Sequence, residues 1–409
     1  MTQIKNYKMY VDGKWIESSS GKKIETLNPE NNKVWATVPE ANEKDVDLAV
    51  NAAQKAFENS WSKMHPRDRA KYLRELANQL RQNAEHLGKI ETIDTGKLFR
   101  ETKTQANYIA EYYDYFAGLA DKVEGTVVPI DKDNMQVVTT RIPIGVVAAI
   151  IPWNSQMLLT AVKLAPALAM GNTVVIKASE LAPVTLLEFA KLVENSGIPK
   201  GVVNVITGLG EPCGKSLTTH NLVERIAFTG GPDTAKHIIK NSAENLSQVS
   251  LELGGKSPVV VFKDADQENA LNGITAGIFG ASGQSCIAGS RLYLQNDIYD
   301  DFLNKLIKKA EKIKLGSPMD KDAQMGPLNS FKQLEIIEKN IKATIDQGGK
   351  LRCGGKRSKI SNEGYYFPPT IIECENHNLP TAENELFGPV LSVMKFNTEE
   401  EAINKMNDN

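Results

Sequence analysis

Short apolar runs alternate with helical patterns from residue 145 to residue 253, and this alternation constrains the fold more than any other feature. The runs are apolar on both faces, which is typical of parallel strands that helices cover on both sides of a sheet. We therefore predict a doubly wound α/β domain whose ligand binds at the carboxyl ends of its strands. The predicted strands are residues 146–151, 173–176, 202–206, 225–228 and 249–253, and the predicted helices are residues 158–170, 183–195, 211–218 and 234–243.

A second α/β unit is predicted after residue 256, because the 409 residues exceed what one hydrophobic core normally serves. Between helical regions, residues 126–129 and 135–142 are β-rich and flank a polar turn, which predicts a hairpin. Such a hairpin has little core of its own and would be unstable alone, and packing on its own domain is one way to stabilise it. The predicted boundaries are 1–121 with 143–253 for the first domain, 122–142 for the hairpin and 254–409 for the second domain.

Charge and composition exclude several classes of partner. The 48 Lys and Arg residues nearly balance the 50 Asp and Glu residues, which gives no electrostatic case for nucleic acid or anionic lipid. The longest apolar run, residues 146–152, is too short to cross a membrane, and the first residues lack the apolar core of a secretory signal. We therefore predict a cytoplasmic protein. The four cysteines lie far apart without a Cys-x-x-Cys pair, so we expect no metal site and no disulfide framework.

Cys286 lies near the centre of a segment of small residues, 279–292, with glycines on both sides. Glycine lets other atoms approach the backbone closely, so the segment suits a cysteine nucleophile that both a substrate and a cofactor must reach. Two alternatives remain: a buried cysteine in a tight turn, and a Cys-His protease whose partners meet only in the fold. Upstream, the stretch Leu-Glu-Leu-Gly-Gly-Lys at 251–256 places Glu252 between leucines, where its pKa is expected to rise.

These two stretches, 34 positions apart from Glu252 to Cys286, resemble the NAD(P)-dependent aldehyde dehydrogenase superfamily. Three further motifs stand in the expected order: Pro-Trp-Asn at 152–154, Lys-Ala-Ser-Glu at 177–180 and Glu-Leu-Phe-Gly-Pro at 385–389. The resemblance implies an α/β fold with a Rossmann-type doubly wound cofactor domain, a second α/β catalytic domain and a β-hairpin oligomerisation arm. It also implies a homodimer or homotetramer, if the carboxyl terminus is complete, and a small-molecule aldehyde as the partner.

The same resemblance implies roles for individual residues. Cys286 is expected to be the nucleophile and Glu252 the base, while Asn154 donates its amide N–H to the oxyanion, although Asn154 also suits a plain turn. Lys177 is expected at the catalytic site and at the cofactor. The residues implied in cofactor binding are Ile151, Pro152, Trp153, Lys177, Glu180, Gly210, Phe228, Thr229, Gly230, Gly231, Leu253, Glu385 and Phe387.

The choice between NAD and NADP rests on Lys177 and Glu180, which the family uses to bind the adenosine ribose hydroxyls. A carboxylate at this place repels the 2′-phosphate of NADP, so we expect NAD. From the residues alone, Ser179 and Glu180 also fit a capped helix start. Glu385 resembles the residue that holds the nicotinamide ribose, and without the resemblance it would pass as a surface acid.

The expected reaction is oxidation of an aldehyde to the carboxylic acid through a thiohemiacetal and a thioester on Cys286. Glu252 favours hydrolysis of the thioester over transfer to coenzyme A. The alternative is a non-catalytic, truncated scaffold: residues 398–401 predict the start of a helix, yet the sequence stops at residue 409. A complete family member continues for several tens of residues, so we expect a fragment or a truncated variant.

Overall fold

The computed structural model describes residues 4–408, which separate into two compact units. The first contains the described residues through Thr26, Val34–Ile90 and Lys103–Glu252. The second contains Leu27–Lys33, Glu91–Thr102 and the residues from Leu253 onward. Two short segments that the predicted boundaries assign to the first domain, residues 27–33 and 91–102, therefore pack with the second unit.

Twelve strands and seven α-helices begin before residue 253 in the described part of the chain. The strands are β1 (Lys5–Asn6), β2 (Met9–Val11), β3 (Lys14–Ile16), β4 (Lys23–Asn28), β5 (Lys33–Pro39), β6 (Val127–Val128), β7 (Val137–Val138), β8 (Val146–Ile150), β9 (Thr173–Ala178), β10 (Val203–Thr207), β11 (Val223–Thr229) and β12 (Gln248–Glu252). The helices are α1 (Glu43–Ala56), α2 (Pro66–Thr95), α3 (Phe99–Leu119), α4 (Gln156–Ala169), α5 (Val184–Asn195), α6 (Lys215–Thr218) and α7 (Pro232–Asn245).

A seven-stranded sheet of order β12-β11-β8-β9-β10-β2-β3 forms the centre of the first unit. The five strands β8 to β12 run parallel, and the hairpin β2–β3 adds two antiparallel strands at one edge. The predicted doubly wound sheet is thereby confirmed. A separate three-stranded sheet has the order β1-β5-β4.

The residues of strand β8 show why helices cover both faces of this sheet. Val147 and Ala149 belong to one hydrophobic cluster, and the alternate residues Val146 and Ala148 belong to another. Successive side chains of a strand point to opposite faces, so a strand that is apolar throughout contributes side chains to two hydrophobic cores. Helices α4 and α5 contribute to the first cluster, and α1 and α6 contribute to the second.

The predicted hairpin at 122–142 is present but its strands are much shorter than predicted. Strands β6 and β7 have two residues each, and all four valines are exposed. Among residues 4–408 nothing buries these four valines, so little packing stabilises the ladder beyond its two pairs.

The second unit contains a five-stranded sheet of order β13-β14-β17-β16-β15, in which only β15 is antiparallel. The strands are β13 (Pro258–Val261), β14 (Arg291–Gln295), β15 (Lys350–Cys353), β16 (Thr370–Glu373) and β17 (Val390–Phe396), and the helices are α8 (Gln267–Phe279), α9 (Tyr299–Glu311), α10 (Phe331–Asp346), α11 (Pro380–Glu383) and α12 (Glu399–Asn407). The second α/β unit is thus confirmed, and α12 begins after Thr398, whose hydroxyl accepts from the Glu401 N–H. Across residues 4–408, no helix combines the length and the apolar character needed to span a membrane.

Candidate functional site

The predicted residues of the first unit come together at the carboxyl ends of its parallel strands. Ile150 pairs with both Lys177 and Phe228, and Thr229 pairs with Glu252. Because these strands end in register, the side chains that follow them lie along one edge of the sheet. The segment from Ile151 to Asn154 directly follows β8 and joins the same edge.

Lys177 and Glu180 form a preassembled pair at this edge. The Lys177 ammonium is buried, donates to the Ala178 carbonyl at 3.1 Å and lies 3.6 Å from the Glu180 carboxylate, whose side chain is 41% exposed. The cap of α5 is Pro183, without a side-chain hydrogen bond. The alternative that Ser179 and Glu180 cap the helix is therefore wrong for α5, and Glu180 keeps oxygens that can accept from hydroxyl groups.

Gly230 and Gly231 connect β11 to the start of α7. Gly231 is the N-cap, no side chain caps the helix, and a Cβ added to Gly231 meets nothing within 4 Å. The first N–H groups of a helix lack partners within the helix and carry partial positive charge, so this open backbone suits an anionic group. Gly210 is likewise exposed with open space around its Cα.

Lys163 belongs to this edge although the sequence analysis did not select it. Its Nζ donates to the Thr229 hydroxyl at 2.7 Å. Burial lowers the pKa of Lys163 to about 8, and the negative charge of Glu252 opposes this shift. Lys163 is the one charged residue within the predicted helix 158–170, and this signal was available in the sequence.

Glu252 is the last residue of β12 and its side chain is exposed. Leu251 and Leu253 do not give this carboxylate the apolar surroundings expected from the sequence, since Leu253 is itself exposed and Leu251 is only half-buried. The backbone is fixed by a hydrogen bond from the Gly230 N–H to the Glu252 carbonyl at 3.1 Å. The carboxylate therefore stands at the edge of the sheet with access to water.

Cys286, in the second unit, is half-buried, whereas Cys213, Cys353 and Cys374 are buried. The alternative of a fully buried cysteine in a tight turn is therefore wrong. The conformation at position 283 requires glycine. Gly283 has a φ of +72°, and an added Cβ would lie 2.2 Å from the Gly388 carbonyl oxygen. The loop that carries Cys286 packs against the 385–389 motif through this contact.

Two residues without glycine's freedom precede Gly283 in the same left-handed conformation. Ala281 has φ +47° and Ser282 has φ +57°. Backbone strain of this kind persists only where the surroundings enforce it. Here the Ser282 hydroxyl donates to the Gly326 carbonyl at 2.9 Å, and the Ala281 N–H donates to the Glu101 carboxylate.

Glu385 lies over the Gly-Gly turn that follows Leu253. Its carboxylate accepts from the Gly255 N–H at 3.2 Å, and a Cβ on Gly254 would lie 1.7 Å from Oε2. The residue keeps an exposed face, yet partial burial raises the pKa of Glu385, while the Gly255 N–H and the Lys256 charge lower it. This carboxylate is therefore held in place, unlike an ordinary surface acid. Phe387, two residues later, is half-buried with φ +51°.

The residues of the first unit fit a nicotinamide dinucleotide. The Lys177–Glu180 pair supplies an ammonium and an accessible carboxylate for ribose hydroxyls, and the open backbone at Gly231 suits a phosphate. Nothing comparable exists for a metal: between residues 4 and 408, no group of three or more His, Cys, Asp or Glu side chains is placed to hold one.

The comparisons with known proteins agree with this arrangement. A model described as the aldehyde dehydrogenase family matches residues 15–409. The (Z)-2-((N-methylformamido)methylene)-5-hydroxybutyrolactone dehydrogenase of Acinetobacter baylyi is 51% identical over 406 residues, which are 99% of this chain and 82% of that protein. Among solved structures, betaine aldehyde dehydrogenase from Staphylococcus aureus in complex with NAD+ has 39% identity and a TM-score of 0.96, covering 98% of this chain and 80% of its own. A 3,6-anhydro-L-galactose dehydrogenase in complex with NAP has 34% identity and a TM-score of 0.96, and the match covers 99% of this chain and 85% of that chain.

Proposed function

Because the chain belongs to the aldehyde dehydrogenase family, and so oxidises aldehydes to carboxylic acids with a nicotinamide dinucleotide, we propose that Cys286 is its nucleophile and NAD its cofactor. The observation that carries the proposal is the exposure of the four cysteines: three are buried, and Cys286 alone is accessible, on a loop held in a strained conformation. The function as an enzyme is favoured over the non-catalytic scaffold.

In the first step, the Cys286 thiol loses its proton to solvent water, its sulfur bonds to the aldehyde carbon, and the π electron pair of the carbonyl moves to the oxygen, which becomes an oxyanion. The Asn154 amide and the Cys286 backbone N–H donate hydrogen bonds to that oxygen. The bound nicotinamide supplies the acceptor for the hydride that leaves the same carbon. A thioester then remains on Cys286.

Glu252 completes the reaction as general base. Its exposed carboxylate takes a proton from water, the water oxygen bonds to the acyl carbon, and the carbon–sulfur bond breaks to return the thiolate and release the acid. Water must reach the base in this step, and the exposed position of the Glu252 side chain allows that access.

The choice of NAD over NADP is supported by Glu180. Its carboxylate is 41% exposed and lies 3.6 Å from the buried Lys177 ammonium, so it is accessible to the hydroxyls of an adenosine ribose. A 2′-phosphate at that ribose would meet a like charge. The similar solved structures include complexes with NAD+ and with NAP, so they do not distinguish the two cofactors. The preference for NAD is therefore inferred from the Glu180 carboxylate.

The names of two relatives indicate which classes of substrate to test first. The 51% identical relative is named for a 5-hydroxybutyrolactone, a ring that opens to an aldehyde acid, and another, from Bacillus subtilis, for betaine aldehyde. We propose a medium-sized aldehyde, with hydroxylactones as the first class to examine. We also propose a homo-oligomer, which the exposed valines of the β6–β7 hairpin support.

The test is NADH formation at 340 nm with hydroxylactones, betaine aldehyde and aromatic aldehydes, each with NAD and with NADP. Cys286→Ala is expected to abolish oxidation, while Cys353→Ala, at a buried cysteine, is expected to retain it. Substantial turnover by Cys286→Ala in a folded protein would refute the assignment of the nucleophile.

A further inference from the structure

Lys256 is an unusual lysine, because its side chain is almost entirely buried. The residue is 5% exposed, and its Nζ has no hydrogen-bond partner among the residues that the structure describes. Lysines normally keep the ammonium in water, and a buried polar group without a partner calls for an explanation. The backbone is held firmly, since Arg291 Nε donates to the Lys256 carbonyl at 2.8 Å.

The charged and titratable groups that act on Lys256 are Arg291, Cys374 and Glu385. Burial and Arg291 lower the pKa of Lys256 to about 7, while Cys374 and Glu385 oppose the shift. Arg291 has partners elsewhere, in the Tyr293 hydroxyl and the Met406 carbonyl. The Cys374 thiol has its own pKa raised by burial. Glu385 is thus the carboxylate that favours the ammonium form of Lys256.

Lys256 and Glu385 also share a cavity. Both residues line a space of about 10 Å³, together with Ser285 and Ser290. A space of this size holds about one water molecule, which needs two or more polar partners. Lys256 and Glu385 therefore border the same small space, and each lies within range of the other's charge.

We propose that Lys256 is a positioning residue that acts on the cofactor through Glu385, by keeping this carboxylate ionised and aimed over the Gly-Gly turn. The inference rests on the proposed function, in which Glu385 holds the nicotinamide ribose. An ionised carboxylate accepts hydrogen bonds from hydroxyls more strongly than a protonated one. Lys256 itself touches no reacting atom.

This role has a defined dependence on pH. Below about pH 7 Lys256 is an ammonium and opposes protonation of Glu385, whose pKa burial raises. Above that pH Lys256 is neutral, so its replacement by an uncharged side chain leaves the charge around Glu385 unchanged. Replacing Lys256 by methionine should therefore weaken cofactor binding near pH 6 and have little effect near pH 8.

The experiment measures NADH binding to the full chain by fluorescence, at pH 6 and pH 8, without substrate. We expect Glu385→Gln to weaken binding about 10-fold at both values. Lys256→Met should weaken it about 5-fold at pH 6 and less than about 2-fold at pH 8, and the double variant should match Glu385→Gln. Lys256→Arg, which keeps the charge, should restore binding at pH 6, and Lys263→Met, at an exposed ion pair with Asp297, serves as control.

The outcomes separate the two proposals. If Glu385→Gln binds NADH as tightly as the wild type, the assignment of Glu385 to the cofactor fails. If Glu385→Gln binds weakly and Lys256→Met weakens binding further in that background, Lys256 does not act through Glu385 and this inference fails alone. Should Lys256→Met not fold, the same cycle is run with Lys256→Arg, and weakened binding at pH 6 in that variant would overturn the inference.

Discussion

The carboxylate of Glu101 accepts a hydrogen bond from the backbone N–H of Ala281 across 3.3 Å. The two residues are 180 positions apart and belong to the same compact unit. Glu101 lies in the first turn of α3, where its other oxygen accepts from the Leu98 N–H. The helix start is thereby connected to the strained loop that carries Cys286.

The first prediction follows from this contact. Glu101→Ala removes the acceptor, so the loop is expected to relax and the alkylation of Cys286 by iodoacetamide to slow about 10-fold. Glu101→Gln keeps an oxygen acceptor and should react nearly as the wild type does. Glu111→Ala, at an exposed glutamate of the same helix, is the control. An unchanged alkylation rate in Glu101→Ala would show that the contact does not hold the loop.

Gly283 is expected to tolerate no side chain. Gly283→Ala places a methyl group against the Gly388 carbonyl at φ +72°, which should cost about 2 kcal/mol or more of folding free energy and reduce activity at least about 10-fold. The matched change is Gly277→Ala in α8, where nothing lies within 4 Å of the added Cβ and alanine favours the helix. Calorimetry compares the melting temperatures of Gly283→Ala and Gly277→Ala, and equal values would contradict the prediction.

Glu252→Gln is expected to separate oxidation from hydrolysis. Without the base, the thioester forms but is hydrolysed slowly, so stopped-flow absorbance at 340 nm should show a burst of about one NADH per site. The steady rate after the burst should be about 100-fold below that of the wild type. Glu244→Gln, at an exposed glutamate of α7, should behave normally. Steady turnover at the wild-type rate in Glu252→Gln would remove Glu252 from the mechanism.

Glu180→Gln is expected to change the preference between cofactors. Loss of the negative charge removes the repulsion of a 2′-phosphate, so the ratio of kcat/KM for NADP to that for NAD should rise about 10-fold. Glu224→Gln, near the opposite end of β11 from Thr229, is the control. If the ratio stays the same in Glu180→Gln, the carboxylate does not select the cofactor.

The stability of the protein should depend on Lys256 in a defined pH range. The folded pKa of about 7 lies below the ordinary value of 10.5, so the unfolded chain binds the proton more tightly between these values. The cost of burying the ammonium is full below pH 7 and disappears as the pH rises towards 10.5. Lys256→Met should therefore raise Tm by about 2 °C or more at pH 6.5, with a gain that shrinks by pH 10. A gain that is constant with pH would contradict this explanation, and Lys263→Met should shift Tm by less than about 1 °C throughout.

The fold of the first unit was predictable from local pattern. Strands β8 and β9 are apolar at consecutive positions, and this property alone requires cover on both faces of a sheet. The strand β5 was missed, since its residues 33–39 mix exposed and buried positions, and the hairpin strands were predicted too long. Burial of one face depends on what packs there, and local sequence does not contain that information.

For the candidate site, the sequence by itself determined which residue types stand at the strand ends and on the Cys286 loop, because motif spacing and strand order follow from the chain. Tertiary structure alone decided which of them touch. Lys163 contacts Thr229, 66 positions away, and Glu385 covers a turn 130 positions upstream. Glu252 is exposed although the leucines beside it predicted apolar surroundings. Burial and charge act through space, so contacts between distant segments set the environment of each group, and that environment determines whether Lys256 carries a proton.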